Sequence, residues 1–186
     1  MDYNQDYLLL LRYMVKEKRY IHTLGVIDTA ITLSKRYNED ITKAKVAATL
    51  HDLTKYFSDE DHLLLMRRDY DDDFINSLPR GAYHAFSASI VARDYLNITD
   101  EDILSAIKWH TLSRPNMSTL EKIIYLADFF EPNRKGDASN ICKKMAESSI
   151  DEALAYAIGV CINDREKEGM YVPKVTYDAY EFYNRK

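Results

Sequence analysis

The residues most able to do chemistry are polar side chains that stand where the hydrophobic pattern predicts burial. His51 and Asp52 directly follow a run of apolar and small residues. His51 shares one predicted helical face, at i, i+3, i+4 and i+7 spacing, with Ala44, Ala47 and Ala48. Because alanine side chains are small, a second element can approach this face closely. The pair is therefore expected inside the protein, where imidazole and carboxylate groups are typical metal ligands.

Two further polar residues close apolar stretches in the same way. Asp128 ends the apolar run 123–127, and a carboxylate buried there without a partner would cost several kcal/mol. It should therefore face a cation or strong hydrogen-bond donors. His110 follows Ile103 and Ile107 on one helical face, again on the side predicted for the core.

The chain has 5 histidines, and all but one of them occupy positions predicted to face the core: His22, His51, His84 and His110. Taken singly, such a histidine is more often a hydrogen-bonded core residue than a ligand, and Asp128 alone could pair with an arginine. The combination of these histidines with two isolated acids favours a metal site. His62 lies in the acidic segment 59–62, which is predicted to be a solvated helix start, and is not expected to belong to the site.

Length and composition fit one folded domain, which is predicted to span residues 1–186. The net charge of -5 and the isoelectric point near 5.6 predict no general attraction for nucleic acid or for an anionic membrane. A local basic pocket for a small anion remains compatible with this balance, because the net charge is an average.

The N-terminal and cysteine patterns bear on the compartment. The apolar run 8–11 is far too short to span a bilayer, and its acidic flanks, Asp2 and Asp6, differ from those of a signal peptide. Cys142 and Cys161 lack paired spacing and are predicted to be reduced packing residues. We therefore expect a cytoplasmic protein.

Helical periodicity recurs along the chain, and we find no alternating strand of useful length and no internal repeat. One helix is predicted from about residue 20 to residue 37, with an apolar stripe of Tyr20, Leu24, Ile27 and Ile31. Helix starts are predicted from three cap patterns: Ser118 with Glu121, Ser149 with Glu152, and Thr99 before a cluster of acids. The prolines fall between periodic segments: Pro79, Pro115, Pro132 and Pro173. These signals predict an all-α helical bundle of roughly eight to ten helices.

The order of these residues resembles a known family. His22, then His51-Asp52, then Asp128 is similar to the H…HD…D pattern of the HD superfamily, and His84 and His110 resemble its members that hold two metals. The closer resemblance is to the bacterial YqeK family of symmetrical bis(5′-nucleosyl)-tetraphosphatases. It is carried by the stretches 19–26, 50–55, 109–111, 117–128 and 131–134, and it covers most of the chain from about residue 12 onward.

The resemblance implies a single helical-bundle HD domain that cleaves diadenosine tetraphosphate into two ADP. It implies that Asp52 bridges two ions, with His22, His51 and Asp128 on one ion and His84 and His110 on the other. It also implies iron in particular, bound as one or two ions, although manganese, cobalt or nickel would suit nitrogen and oxygen donors and zinc is less distinctive. Asp52 and Lys55 are the expected catalytic residues.

Two short segments depart from the family pattern. After His84 the family tends to have a Gly-Ala pair, where this chain has Ala88-Ser89. After His110 and Thr111 the family often has Ser-Gly or Thr-Gly, where this chain has Leu112-Ser113. Both changes affect the freedom of the backbone near the metal, so they bear on the shape of the pocket and not on the ligands.

A substrate with several negative charges needs local cations on this acidic protein. Lys55 lies one turn after Asp52 if the helix continues, and Arg134 follows the break at Pro132 and is expected at the mouth of the site. The guanidinium fork of Arg134 suits two phosphate oxygens. The expected substrate-binding residues are Lys55, His84, Thr111 and Arg134. Without the neighbouring ligands, each cation would be interpreted as part of a surface ion pair.

The C-terminal segment 171–183 is rich in aromatic residues, some of which can stack on a nucleobase. A stripe of this kind is more often simply part of the core.

Two other functions remain open from the sequence. The same hydrolase chemistry could act on a nucleotide monoester or on a cyclic dinucleotide. A non-catalytic dimetal protein that stores or senses iron or oxygen is disfavoured, because ferritin-like sites use Glu-x-x-His on paired helices and need no Lys55 or Arg134. The expected partner is a small dinucleoside polyphosphate and neither nucleic acid nor a membrane, and the sequence leaves the oligomeric state open.

Overall fold

All regular structure in the computed structural model, which describes residues 3–185, is helical, and the predicted all-α class is confirmed. A single 3₁₀ turn occurs at Arg80–Ala82. The α-helices in chain order are α1 (Tyr3–Met14), α2 (Glu17–Tyr37), α3 (Ile41–Leu50), α4 (Asp59–Met66), α5 (Asp72–Asn76), α6 (Tyr83–Leu96), α7 (Glu101–Trp109), α8 (Thr119–Phe130), α9 (Asp137–Met145), α10 (Ile150–Lys167) and α11 (Lys174–Asn184).

The predicted number of helices was too low. The described residues form 11 α-helices, of which α4 and α5 are only 8 and 5 residues long. The apolar residues of α4 are consecutive, 63–66, and so do not mark one helical face, and α5 is too short to show a helical period. Residues 1, 2 and 186 of the predicted domain, Asp2 among them, lie outside the described residues.

Helix α2 buries a different face from the predicted one. Leu24 is exposed, Tyr20 and Ile31 are only partly buried, and Ile27 alone of the predicted stripe lies in the core. The buried face runs instead through a polar residue, His22, and then Val26, Ala30 and Leu33. Val26, Ala30 and Leu33 also have helical spacing, so the segment contains two candidate apolar stripes, and periodicity alone does not decide between them.

The predicted helix ends are mostly confirmed. Helix α2 ends at Asn38, which adopts the left-handed conformation with φ 55°. Ser118 forms a capping box with Glu121 at the start of α8, and Ser149 caps α10 by accepting from the backbone N–H of Glu152. The prediction at Thr99 was wrong by one position, because the neighbouring Asp100 accepts the free N–H groups of α7. All four prolines lie between helices, as predicted: Pro79, Pro115, Pro132 and Pro173.

Five helices meet at one place in the interior of the protein: α2, α3, α6, α7 and α8. Helix α2 packs on α3 and α8, and α7 packs on α3, α6 and α8. Helix α10 packs on α8 and also contacts α11. A smaller apolar cluster between α4, α5 and α6 is built around Met66, Ile75 and Phe86. These contacts bring the end of α3, the start of α6 and the end of α7 to one point beside α2 and α8. Within residues 3–185, none of the helices has both the length and the apolarity needed to cross a membrane.

Candidate metal centre

The structure brings all six predicted ligands together at the place where these five helices meet, α2, α3, α6, α7 and α8. His51 ends α3, and Asp52 lies in the turn that follows it. The others come from four different helices: His22 from α2, His84 from the first turn of α6, His110 from the end of α7 and Asp128 from the last turn of α8. The helix that contains His22 was predicted from about residue 20, but α2 starts earlier, at Glu17. The four histidines and Asp52 are buried.

Asp52 lies at the centre of the cluster, and its two carboxylate oxygens face different pairs of histidines. Oδ2 is 3.3 Å from His51 Nε2 and 3.9 Å from His22 Nε2. Oδ1 is 3.0 Å from His84 Nε2 and 3.8 Å from His110 Nε2. The ligand atoms therefore form two groups of three that share Asp52, and within each group they all lie within 4.8 Å of one another. A carboxylate shared in this way could contribute one oxygen to each of two ions.

Asp128 adds a second carboxylate on one side of the cluster. Its Oδ1 lies 3.0 Å from His22 Nε2, so Asp128 joins the group that contains His22 and His51. These distances are compatible with the division of ligands that the family resemblance implies, which stays a prediction.

The histidine rings are held so that their Nε2 atoms point into the cluster. His51 Nδ1 donates to the carbonyl oxygen of Ala48 at 2.7 Å, and His110 Nδ1 donates to that of Ile107 at 2.7 Å. Because a carbonyl oxygen can only accept, Nδ1 carries the proton and Nε2 of the neutral ring offers a lone pair. Partners of this kind fix the tautomer and orientation of metal-binding histidines.

The buried atoms without partners fit a metal ion. His22 Nε2, His51 Nε2 and Asp52 Oδ1 are all buried, and no hydrogen bond of good geometry reaches any of them. Each unsatisfied buried polar atom costs about 1–3 kcal/mol, and a lone pair of His51 that faces a carboxylate is repulsive. A cation between them removes both costs. Nitrogen and oxygen donors without thiolate fit a divalent transition metal.

The electrostatics of the cluster favour ionised carboxylates and a neutral His110. Burial opposes ionisation of Asp52, but the adjacent His51 and His84 hold its pKa well below the usual range. The pKa of Asp128 is also lowered against the effect of burial, chiefly by His22. Burial and the neighbouring imidazoles lower the pKa of His110 to about 3. The carboxylates are therefore ionised and His110 is neutral at neutral pH, as metal binding requires.

Glu131 forms a hydrogen bond with Nδ1 of His22, on the opposite side of the ring from Nε2, a role that we did not predict. His22 Nδ1 donates to Glu131 Oε1 at 3.1 Å, and the carboxylate is buried and also accepts from the backbone N–H of Asn133 at 2.6 Å. Gly25, one turn after His22, makes room for this segment: a Cβ at Gly25 would lie 2.5 Å from Glu131 Oε2 and 3.2 Å from Pro132 Cδ. The only sequence signal was the Glu-Pro-Asn-Arg motif at 131–134. Its contact with His22 exists only because α2 packs on α8, which the local sequence does not indicate.

Three cations border the central carboxylates. Lys55 Nζ lies 2.9 Å from His84 Nε2 and 3.5 Å from Asp52 Oδ1. Helix α3 does not continue to Lys55 as expected, but the turn after it still places the ammonium group here. Arg134 Nη2 donates to Asp128 Oδ1 at 2.9 Å, at the mouth of the site. Arg19 Nη1 donates to Asp52 Oδ2 at 2.7 Å, and sequence analysis assigned it no role.

Two cavities open beside the cluster. One, of about 450 Å³, is lined by Lys55, His84, His110, Thr111 and Asp128. Thr111 Oγ1 is buried in this region without a hydrogen-bond partner. The other, of about 950 Å³, is lined by Arg19, Ile21, His22, Tyr56 and Asn133. Arg134 and Lys135 line both cavities and separate them.

The aromatic tail lies away from the cluster. Tyr183 accepts from the backbone N–H of Met117 at 2.6 Å, and Tyr180 packs against Gly159 of α10. Both line a separate groove between α10 and α11. The alternative that this stripe is part of the core holds for Tyr183 alone, because the other aromatic residues of the segment are exposed: Tyr171, Tyr177, Tyr180 and Phe182. The aromatic rings that line the smaller cavity belong instead to Tyr125 and Phe129.

His62 is buried, so the prediction that it is solvated was wrong. Its Nδ1 lies 2.8 Å from Ser87 Oγ, and Ser87 Oγ lies 2.8 Å from Thr54 Oγ1. Thr54 Oγ1 also donates to the carbonyl oxygen of His84 at 2.9 Å. His62 therefore supports the start of α6 through a polar network, although its acidic neighbours made it resemble a surface residue.

The two departures from the family pattern have different consequences. Ser89 is accommodated within α6, because its Oγ donates to the carbonyl oxygen of Leu104 at 2.9 Å. Ser113 has φ 61°, a left-handed conformation that glycine adopts at much lower cost. The segment after Thr111 thus keeps a glycine-like backbone without glycine.

Comparison with known proteins gives consistent matches. The HD domain family matches residues 19–133, a segment that contains all six clustered side chains. The chain is 36% identical over 154 residues to the symmetrical bis(5′-nucleosyl)-tetraphosphatase of Bacillus subtilis, and the match covers 83% of each chain. It is 39% identical over 159 residues to the enzyme of the same name from Halalkalibacterium halodurans, and that match covers 81% of each chain. A solved structure from Clostridium acetobutylicum, described as a predicted HD superfamily hydrolase involved in NAD metabolism, superposes with a TM-score of 0.92 at 35% identity, over 98% of this chain and 97% of that one.

Proposed function

Because the chain belongs to the HD-domain family and, within it, to the symmetrical bis(5′-nucleosyl)-tetraphosphatases, we propose that it is a metal-dependent hydrolase that cleaves diadenosine tetraphosphate into two ADP. The observation that carries the proposal is the position of Asp52. Its carboxylate is shared by two groups of metal-binding side chains, and cations approach both of its oxygens. Such a centre suits attack on a polyphosphate.

We propose iron as the metal, on the basis of the family resemblance, with manganese, cobalt or nickel compatible with the same donors. One ion would be held by His22, His51, Asp52 and Asp128, and a second by Asp52, His84 and His110. When bound, a metal of this kind polarises phosphoryl oxygens and lowers the pKa of water toward 7.

The cations of the chain would receive the phosphate groups. Arg134 is about half exposed, and its planar fork suits two phosphate oxygens at once. Lys55 stands over Asp52 Oδ1 and Arg19 stands over Asp52 Oδ2, so phosphates on either side of the centre meet a positive charge. Hydrogen bonds between charged partners are roughly twice as strong as neutral ones. These cations thereby offset the negative net charge of the protein at the site.

Thr111 and Lys55 are placed to assist the reacting phosphate. The hydroxyl of Thr111 has no partner within the protein and can donate to a phosphate oxygen in the smaller cavity. Lys55 can stabilise charge on the departing oxygen, although burial lowers its pKa. Cleavage at the centre releases ADP, which leaves as a stable diphosphate and needs no proton from the enzyme. One nucleoside would lie in the smaller cavity, against Phe129.

We also propose a cytoplasmic setting. Cys142 and Cys161 are both free thiols, which supports a reducing compartment.

A substrate panel tests the proposal against the alternatives. The metal-supplemented protein is incubated separately with diadenosine tetraphosphate, a nucleoside monophosphate and a cyclic dinucleotide, and the products are separated by chromatography. Preferred turnover of diadenosine tetraphosphate is expected. Preferred turnover of either other compound would replace the proposed substrate, and a metal-loaded protein with no turnover on any phosphate ester would favour the non-catalytic dimetal protein.

A further inference from the structure

Arg19 belongs to a cavity whose other part, around Tyr56, has no role in the chemistry described above. This cavity is the larger of the two, about 950 Å³ against about 450 Å³, and both volumes are in the range of small-molecule sites. His22, a predicted ligand, forms part of its wall. Arg134 and Lys135 line both cavities, so a phosphate chain that extends from one cavity to the other would meet their positive charges.

Each of the two cavities contains a cation that lies beside a different oxygen of the Asp52 carboxylate. Lys55, in the smaller cavity, lies 3.5 Å from Asp52 Oδ1. Arg19, in the larger cavity, lies 2.7 Å from Asp52 Oδ2. Each cavity therefore has its own cation beside the cluster. A ligand with two like halves joined at its middle matches this arrangement, with its centre at Asp52.

The far part of the larger cavity offers apolar surface beside Lys18 and Arg19, and Glu17, the acidic residue there, is paired with Arg12. The ring of Tyr56 is 45% exposed and Ile21 is 46% exposed. Lys16 Nζ lies 4.9 Å from the centre of the Tyr56 ring and supports it. Exposed apolar side chains beside Lys18 and Arg19 suit a ligand that is flat and apolar at one end and anionic at the other. A nucleotide has this chemistry, because bases stack on aromatic rings while phosphates pair with cations.

We propose that this larger cavity binds the second nucleoside of the substrate, with Tyr56 as the stacking platform for its base. The inference rests on the proposed function, whose substrate carries two nucleosides. Both halves of the substrate would then be held, one in each cavity, and the central linkage would be fixed over the cluster from both sides. Tyr56 and Ile21 become specificity-determining residues of the reaction.

Binding measurements on the metal-loaded protein test the assignment. The first ligand is a diadenosine tetraphosphate analogue with a methylene group at the central bridge, which cannot be cut there, and the second is adenosine 5′-tetraphosphate, which has only one nucleoside. Tyr56→Ala should weaken binding of the two-nucleoside analogue about tenfold, the order expected for loss of one base stack. Binding of adenosine 5′-tetraphosphate should change less than twofold, because its nucleoside can use the smaller cavity.

Two variants serve as controls. Tyr56→Phe should bind both ligands like the wild type, because stacking needs the ring and not the hydroxyl group. Tyr95→Ala removes another exposed tyrosine, which contacts Arg68 away from both cavities, and should also leave binding unchanged. Unchanged affinity of Tyr56→Ala for the analogue, or an equal loss for both ligands, would overturn the assignment. The proposed function fails separately, if the wild-type protein does not hydrolyse diadenosine tetraphosphate.

Discussion

Gly25 lies where any side chain would collide with Glu131, since a Cβ there would come within 2.5 Å of Glu131 Oε2. Glu131 in turn accepts the Nδ1 proton of His22, so the absence of a side chain at position 25 helps to set the orientation of a predicted metal ligand. The carboxylate end of a flexible glutamate could move away from an added methyl group. It would then lose its contact with His22, because Pro132 Cδ and Asn133 Nδ2 also lie 3.2 and 3.3 Å from the added Cβ and restrict where the carboxylate can go.

We therefore predict that Gly25→Ala and Glu131→Gln both weaken metal binding. The expected loss is about 10- to 100-fold in affinity, as is typical when the partner of a ligating histidine is disturbed. Titration of the metal-free proteins with a divalent transition metal measures the loss. Gly81→Ala is the matched control, because a Cβ at Gly81 meets nothing within 4 Å. If both variants bind metal as tightly as the control does, Glu131 does not orient His22.

The cluster itself should determine the metal content. We predict that the purified wild-type protein carries a transition metal, that His51→Ala and Asp52→Ala lose most of it, and that both variants lose activity. Elemental analysis measures the content. His62→Asn is the control: it also removes an imidazole, but its amide can preserve the hydrogen bond to Ser87 and His62 is not in the cluster, so metal should remain. Active wild-type protein without metal would contradict the account.

Lys55 and Arg134 should contribute to turnover of the substrate without affecting the amount of bound metal. We predict that Lys55→Ala and Arg134→Ala lower kcat/KM about 10- to 100-fold, the range expected for loss of a hydrogen bond to a charged group, with bound metal near the wild-type level. Arg134→Lys should recover activity only in part, because a point charge cannot replace a bidentate fork. Arg67→Ala, which removes a surface ion pair with Asp72, should behave as wild type. Full catalytic efficiency of Arg134→Ala would rule out its proposed role.

The backbone at Ser113 should limit stability. We predict that Ser113→Gly raises the free energy of unfolding by about 1 kcal/mol, because glycine adopts positive φ without the steric cost that serine has. Urea denaturation of the wild type and the variant measures the difference. Ser113→Ala should give no such gain, since it keeps a Cβ and removes the contact of the serine hydroxyl with the carbonyl oxygen of Leu112. A Ser113→Gly variant less stable than the wild type would show that the positive φ is not a burden.

The cluster could be predicted because its members interrupt apolar stretches. His51, His110 and Asp128 each end a periodic segment, and a polar residue at such a position is informative. Arg19 gave no such signal, because it stands among other charged residues and its contact with Asp52 exists only in the folded protein. Glu131 follows the end of α8, and its partner His22 lies 109 residues earlier in the chain.

His62 shows the opposite failure. Its neighbours are acidic and mark a helix start, which was correct, since Ser58 caps α4 in a capping box with Asp61. The helix nevertheless turns His62 inward toward Ser87, which belongs to α6. Whether a helix of 8 residues buries one side or the other depends on what packs on it, and local sequence contains little of that information.

The most direct test of the central claim is chromatography of the products that the metal-supplemented protein forms from diadenosine tetraphosphate. Lys55 and Arg19 border the two oxygens of Asp52, so the linkage that reacts should be the one at the middle of the phosphate chain. We expect ADP as the sole nucleotide product. Equimolar ATP and AMP would mean that cleavage is asymmetric, and the proposed symmetrical hydrolysis would then be wrong.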